Sequence, residues 1–258
     1  MCELFGITGR EKKRINDELR EFYSHSDKNP HGWGLAIFDP ESGRAHIERE
    51  DKSAAVSNRV RDILSEDIFS ASAMAHIRLA TIGLEAPANS HPFTGLDASD
   101  RRWTLVHNGT VFECEALNRY AYEQDGETDS ERILLYILDR MSEDIPEGCG
   151  DDGKLRFDIL NDIISEITPQ NKINIILHDG EYLYVHTNFR DSLFLKREGG
   201  SIYFSSTPLD KGDWENVPFT RLLAFKDGEL VFEGKAHGNE YIPDEKNLQA
   251  LYLAYSGL

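Results

Sequence analysis

The 258 residues predict an α+β fold with antiparallel sheets. Two observations carry this: most strand-like runs come as hairpins around tight turns, and three helical periodicities stand between groups of strands instead of alternating with single ones. Taken in order, a first strand is expected over 3–7 and a helix over 15–23. A hairpin follows at 34–38 and 45–48, turning through Asp39-Pro40-Glu41-Ser42-Gly43. Single strands are expected over 73–77 and 103–106. The helix over 131–141 is opened by Thr128-Asp129-Ser130-Glu131, a capping-box pattern, and the helix over 157–167 stops before Pro169. Three more hairpins close the list: 174–178 with 182–185 around Asp179-Gly180, 193–196 with 202–204 around Gly199-Gly200, and 222–225 with 230–232 around Asp227-Gly228. There is no internal repeat and no Gly/Ser linker. The Gly- and Asp-rich stretch 146–154 reads as flexible without dividing the chain, so residues 1–258 are expected to form a single domain.

Composition narrows the function classes. The chain is 40% hydrophobic, which is ordinary globular material. A formal charge of −18 argues against nucleic acid or an anionic membrane as partner, because both require clustered Lys and Arg. The acidic residues are dispersed and read as a solvated surface. Cys2, Cys114 and Cys149 give an odd count without CxxC spacing, so neither a disulfide framework nor a metal site is expected. Charges at Glu3, Arg10, Glu11, Lys12 and Lys13 leave no apolar segment for a signal peptide, and no run is long enough to span a bilayer. A soluble cytoplasmic protein is expected.

The chemistry begins at Cys2. Removal of Met1 would place a thiol and a free α-amine on one residue, with pKa values of about 8.5 and about 7.7–8.0, so a nucleophile would carry its own base. Alone, Cys2 reads as a buried first-strand residue in Cys-Glu-Leu-Phe-Gly. Further segments have a structural and a functional reading each. His31-Gly32-Trp33-Gly34 is a glycine-rich strand entry. His76-Ile77-Arg78-Leu79-Ala80-Thr81 ends an apolar strand with an Arg, suited either to a surface ion pair or to gripping a carboxylate bidentately. His107-Asn108-Gly109 is by default a turn, but Asn108 and the Gly109 amide would also serve as donors to an oxyanion. In Thr128-Asp129-Ser130-Glu131 the acids by default complement the dipole of a first helical turn, and the functional reading makes Asp129 the acceptor for an ammonium group. Ser90-His91-Pro92-Phe93 could supply a pocket wall, with His91 a structural hydrogen bonder or a ligand contact.

In their joint order these segments resemble the class II glutamine amidotransferases, closest to the small stand-alone YafJ-like branch, over nearly the whole chain. The resemblance implies an N-terminal nucleophile (Ntn) hydrolase fold, an α/β/β/α sandwich of two antiparallel sheets. It implies Cys2 as nucleophile after loss of Met1, with its α-amine as base and Asn108 and Gly109 as the oxyanion hole. Arg78 and Asp129 match the residues that hold the α-carboxylate and α-amine of glutamine, and Thr81 and His91 those that line the pocket. Two departures from the larger synthases are evident: Leu79 and Ile82 stand where those carry Trp and His, and no second, ammonia-using domain has room here.

The resulting expectation is an amidase that releases ammonia from glutamine, giving glutamate, with any acceptor on a separate protein. No metal or organic cofactor is needed. Arg78 and Asp129 read only the amino-acid end, so another γ-glutamyl amide or small γ-glutamyl peptide is the alternative substrate, discriminated by pocket width near Trp33 and His91. A non-catalytic, glutamine-sensing subunit is the third reading, disfavoured by the intact set of Cys2, Arg78, Asn108, Gly109 and Asp129.

Overall fold

Along a strand successive side chains face opposite sides, and here that alternation sorts the apolar residues into three interfaces between four layers. The computed structural model describes residues 2–80, 83–146, 148–149, 151–244 and 247. In chain order the elements are β1 (Glu3–Arg14), α1 (Asn16–Ser24), β2 (Trp33–Phe38), β3 (Ala45–Glu50), α2 (Asn58–Ser65), β4 (Phe69–Ile77), β5 (Phe93–Leu96), β6 (Arg102–Thr110), α3 (Asp129–Asp144), α4 (Gly153–Ile167), β7 (Lys172–His178), β8 (Leu183–His186), β9 (Phe194–Glu198), β10 (Ser201–Ser205), β11 (Glu215–Asn216), β12 (Leu222–Lys226) and β13 (Glu229–Glu233). They form a seven-stranded sheet in the order β11-β9-β10-β1-β4-β2-β3 and a six-stranded sheet in the order β13-β12-β8-β7-β6-β5. Every pairing is antiparallel.

The outer face of the first sheet presents Phe5, Ile7, Leu35, Ala73 and Ala75 to Leu19 and Phe22 of α1 and Val60 of α2. The outer face of the second presents Trp103, Leu105, Ile173, Ile175 and Leu177 to Ile133 and Ile137 of α3 and Leu160 and Ile164 of α4. Between the sheets lie the residues of opposite parity: Leu4, Ala36, Met74, Val106, Ile176 and Val185. The expected α/β/β/α order is therefore present, with β1 and β4 stacked on β6 and β7. Among the described residues no helix is long and apolar enough to cross a membrane.

Local sequence accounts for most element ends. Thr128 accepts a hydrogen bond from the Glu131 amide at 3.3 Å and so caps α3. The Glu131 carboxylate, however, accepts from the amides of Asp125 and Gly126 at 2.9 Å each, so it braces the loop before the helix instead of closing a reciprocal box on Thr128. Several elements exceed their expected lengths, β1 and β6 among them. The first strand runs on to Arg14 past a register shift between Thr8 and Lys13. The strand over Arg102–Thr110 continues straight through Asn108-Gly109, because Asn108 pairs opposite Asn174 and Gly109 opposite Ile173. An Asn-Gly pair makes a turn only where the chain has nothing to pair with, and β7 supplies that partner here. Two short elements, α2 and β5, were not signalled by periodicity. The former buries only Val60, and β5 is four residues long, preceded by Pro92 and containing Gly95.

A charged cluster fixes α4 to the second sheet. Arg156, fully buried, donates from Nε to Asp179 Oδ2 at 2.8 Å and from Nη2 to Glu181 Oε2 at 2.7 Å. Tyr184 donates to the same Asp179 oxygen at 2.8 Å, and the Asp179 Oδ1 accepts the amides of Glu181 and Tyr182, forming the β7–β8 turn. Removing one partner of such a pair leaves a buried charge uncompensated. Arg156→Ala is expected to cost about 3–5 kcal/mol of unfolding free energy in urea denaturation, whereas truncating Lys154, which pairs with Asp158 on the exposed face of the same helix, is expected to change the midpoint little.

Candidate active site

Antiparallel pairing brings the start of one strand beside the end of its neighbour. The start of β1 therefore adjoins the end of β4, with Glu3 opposite Ile77, and the start of β7 adjoins the end of β6, with Lys172 opposite Thr110. Parity selects which residues at these ends face the space between the sheets. Cys2 shares the parity of Leu4, His76 and Arg78 that of Met74, Asn108 that of Val106, and Lys172 that of Ile176, all on the inner faces. One end of the sandwich thus carries Cys2, His76, Arg78, Asn108 and Lys172.

Cys2 is half-buried. Its thiol donates to the Leu79 carbonyl and accepts from the Leu79 amide, both at 3.3 Å, which anchors it to the segment just after β4. Burial pushes the thiol above its ordinary pKa, opposed in turn by the Leu79 hydrogen bond, the amino-terminal charge, Arg78 and Lys172. The site is therefore arranged for a neutral thiol at rest, surrounded by cations that favour the thiolate once a proton leaves.

Arg78 is buried, and it donates from Nη1 to the Leu84 carbonyl and from Nη2 to the Gly83 carbonyl, each at 3.1 Å. Burial lowers its pKa, offset by Cys2, Glu85, Asp129 and Glu127. It thus holds the loop that follows the strand while lying within electrostatic reach of Cys2 and Asp129. That loop is tied a second time by Glu127, which accepts from the Leu84 amide at 2.9 Å.

Asn108 lies near the end of the β6–β7 pairing, and its Oδ1 accepts from Lys172 Nζ at 3.4 Å. Next to it, Gly109 has no room for a side chain: a Cβ there would run into the Lys172 carbonyl and His107 Nε2. Asp129 opens α3 and accepts the Val111 amide at 2.7 Å, which fixes the chain as it leaves β6. Asp129 also borders a cleft of about 520 Å³ lined by residues such as Val111, Glu113, Asn118 and Arg132.

His91 is placed differently from these. It is packed into the interior, its ring stacked on His76 at 4.0 Å and edge-on to Phe93 at 4.7 Å, beyond a cis His91–Pro92 bond. Room for this segment comes from Gly34, where a Cβ would strike the His91 carbonyl. The glycine of the Trp33-Gly34 pair is thus required by close approach of backbone to the inner face of β2. Arg49 clasps the same segment from outside, donating to the Ser90 carbonyl at 2.8 Å and that of Pro92 at 3.0 Å. Thr81 lies outside the described residues.

Residues not singled out in the sequence complete the arrangement. His76 Nε2 donates to the His107 carbonyl at 3.2 Å, a direct link between the sheets. His107 faces the other way, its Nδ1 accepting from Ser130 at 2.9 Å and its Nε2 donating to the Lys172 carbonyl at 3.3 Å. Burial brings His76 down to about 3 and lowers His91 and His107 too, so the imidazoles are neutral. His31 accepts the Ala80 amide at 2.9 Å on its ring and donates its own amide to the Arg78 carbonyl at 3.0 Å, while the Arg78 amide donates to the Gly32 carbonyl at 2.8 Å, extending the ladder past the end of β4. Lys172 had a readable signal: counting back by twos from Ile176 puts positions 174 and 172 on the same inner face. A second cleft, about 870 Å³ and bordered by Arg44, Arg101 and Arg102, has none of the described candidate site residues in its walls.

Residues 1–200 match the family of class-II glutamine amidotransferases. The chain belongs to this family. Among its relatives, a protein of Methanocaldococcus jannaschii is 30% identical over 267 residues, covering 91% of this chain and 72% of its own. The YafJ protein of Escherichia coli is 28% identical over 194 residues, covering 73% and 74%. Among solved structures, glutamine phosphoribosylpyrophosphate amidotransferase of Bacillus subtilis superimposes with a TM-score of 0.66 at 16% identity, over 92% of this chain. The present chain spans about half the length of that protein (49%), and the likeness identifies the fold as that of the Ntn-hydrolase amidotransferases.

The tight packing at position 109 gives a direct expectation. Gly109→Ala must push β6 away from β7 at the Lys172 carbonyl, displacing the backbone amide beside Asn108. It is expected to lower the Tm measured by calorimetry and, if the Gly109 amide is the oxyanion donor that the resemblance implies, to lower kcat for amide hydrolysis by on the order of 10²-fold.

Proposed function

We propose that the chain hydrolyses the side-chain amide of glutamine to glutamate and ammonia through Cys2, after Met1 has been removed. The observation that supports this most is the convergence of Cys2, Arg78 and Asn108 on inner-face positions at one end of the sandwich, where three strand ends meet.

In this reading the Cys2 thiol gives its proton to its own α-amine, directly or through one water, and the sulfur attacks the amide carbon. The negative charge that develops on the oxygen is met by Asn108 Nδ2 and the Gly109 amide, which are fixed by strand pairing before substrate arrives. When the tetrahedral intermediate collapses, the C–N bond breaks and the α-ammonium returns a proton to the departing nitrogen, so ammonia leaves. Water then adds to the γ-glutamyl thioester, the C–S bond breaks, and glutamate is released with the thiol restored. Arg78 holds the substrate α-carboxylate and Asp129 its α-ammonium group, while His91, stacked on His76, backs the site from the interior. Ammonia passes to an acceptor on a separate protein or escapes to solvent.

Burial of the thiol above its ordinary pKa fits this scheme, because a neutral thiol needs a base. The base works only unprotonated, so kcat/KM is expected to rise with pH through about 7.7–8.0, the range of an α-amine. Ammonia release measured on Met1-free protein should show Cys2→Ala reduced at least about 10³-fold, the scale on which a covalent nucleophile contributes. Asp129→Asn and Arg78→Lys are expected to raise KM about tenfold or more with smaller changes in kcat, since they remove contacts equally present in the ground state. Full activity in Cys2→Ala would refute the mechanism.

A further inference from the structure

The strand β7 begins with a lysine that this mechanism does not use. Lys172 is 5% exposed, yet it carries an ammonium group. Its Nζ lies 3.4 Å from Asn108 Oδ1 and 4.8 Å from the centre of the Phe189 ring. An aromatic face and an amide oxygen are both suited to a desolvated cation. A lysine placed only for packing would be better replaced by an apolar chain, since burying charge is costly.

The contact decides how the Asn108 amide is turned. An amide has one acceptor end and one donor end, whereas an ammonium group has donors alone. Lys172 can therefore face only Oδ1, which turns the Nδ2 hydrogens away from β7. Register makes the two residues neighbours: Asn174 lies opposite Asn108, and Lys172 is the next residue on the same inner face. The same face looks across to Cys2, whose thiol feels the Lys172 charge and in turn supports it. Burial brings Lys172 down to about 8, so the group is largely cationic at neutral pH.

From this placement we infer that Lys172 is a positioning residue of the Cys2 site, fixing the donor end of the Asn108 amide toward the reacting oxygen and favouring the Cys2 thiolate by its charge. The first half rests on the proposed amide hydrolysis; the second needs only the thiol. The other charges bearing on the thiol are Arg78, from the end of β4, and the amino terminus. His107, which holds the Lys172 carbonyl from β6, is kept neutral by burial.

The test uses the full chain without Met1 and the variants Lys172→Met, Lys172→Gln and Lys172→Arg. Cys2 alkylation by iodoacetamide is followed across pH by intact mass, with peptide mapping to separate it from Cys114 and Cys149. Lys172→Met is expected to alkylate about tenfold more slowly at pH 7, with its profile displaced to higher pH, and Lys172→Arg to restore most of the rate. Glutamine hydrolysis is measured beside it. Lys172→Met is expected to lower kcat about tenfold or more with KM within about twofold, because the interaction acts in the transition state. Lys172→Gln can still donate to Asn108 without a charge, so it should recover part of kcat but none of the alkylation rate. Superimposable alkylation profiles for wild type and Lys172→Gln overturn the charge effect, and equal kcat in Lys172→Gln and Lys172→Met overturns the amide effect. A wild-type protein that releases no ammonia, but whose alkylation depends on Lys172, would refute the glutaminase reading and leave the effect on the thiol standing. If Lys172→Met fails to fold by circular dichroism, Lys172→Gln carries the alkylation comparison alone.

Discussion

A β-strand shows only every second residue to one face, and that constraint decides which residues meet in this protein. With β1 and β4 stacked on β6 and β7, the inner faces are apolar along most of their length, at Leu4, Met74, Val106 and Ile176. At one end they turn polar without any change of parity, giving Cys2, His76, Arg78, Asn108 and Lys172. A slip of one residue in any of these strands would send its polar residue into the helix-facing cores and its apolar neighbour into the site. The apolar stack and the reactive end are thus held in place by the same pairing registers.

The polar end is largely buried. Its histidines are neutral through burial, and His76 spends its hydrogen bond on joining the two sheets. Its cations are Arg78 and Lys172, set in a chain whose overall charge is −18. Both bear on the Cys2 thiol, so the charge beside it is opposite in sign to that of the chain as a whole. Arg78 combines two tasks, holding the Gly83 and Leu84 carbonyls while facing the thiol, and this couples the position of the following loop to the charge of the site.

Much of this was legible in the sequence. Hairpin turns such as Asp179-Gly180 and Asp227-Gly228, and the capped helix after Thr128, marked an antiparallel α+β fold, and the ordered motifs from Cys2 to Asp129 identified the family. What was not legible has physical causes. Asn108-Gly109 reads as a turn locally, and only the distant β7 makes it a strand. His91 reads as a polar residue near a pocket, but the missing side chain at Gly34 lets its backbone sink against β2, where its ring stacks on His76. Lys172 stands before the strand expected from Asn174, and it is the pairing with Thr110 that extends β7 back to it.

The most direct test of the account is the intact mass of the purified protein before and after exposure to 6-diazo-5-oxo-L-norleucine, an electrophile shaped like glutamine, with the adduct mapped by peptide. The account requires loss of Met1 and a single adduct on Cys2 that excess glutamine blocks. A Met1-free protein that takes no adduct on Cys2, or takes one that glutamine does not block, would contradict it.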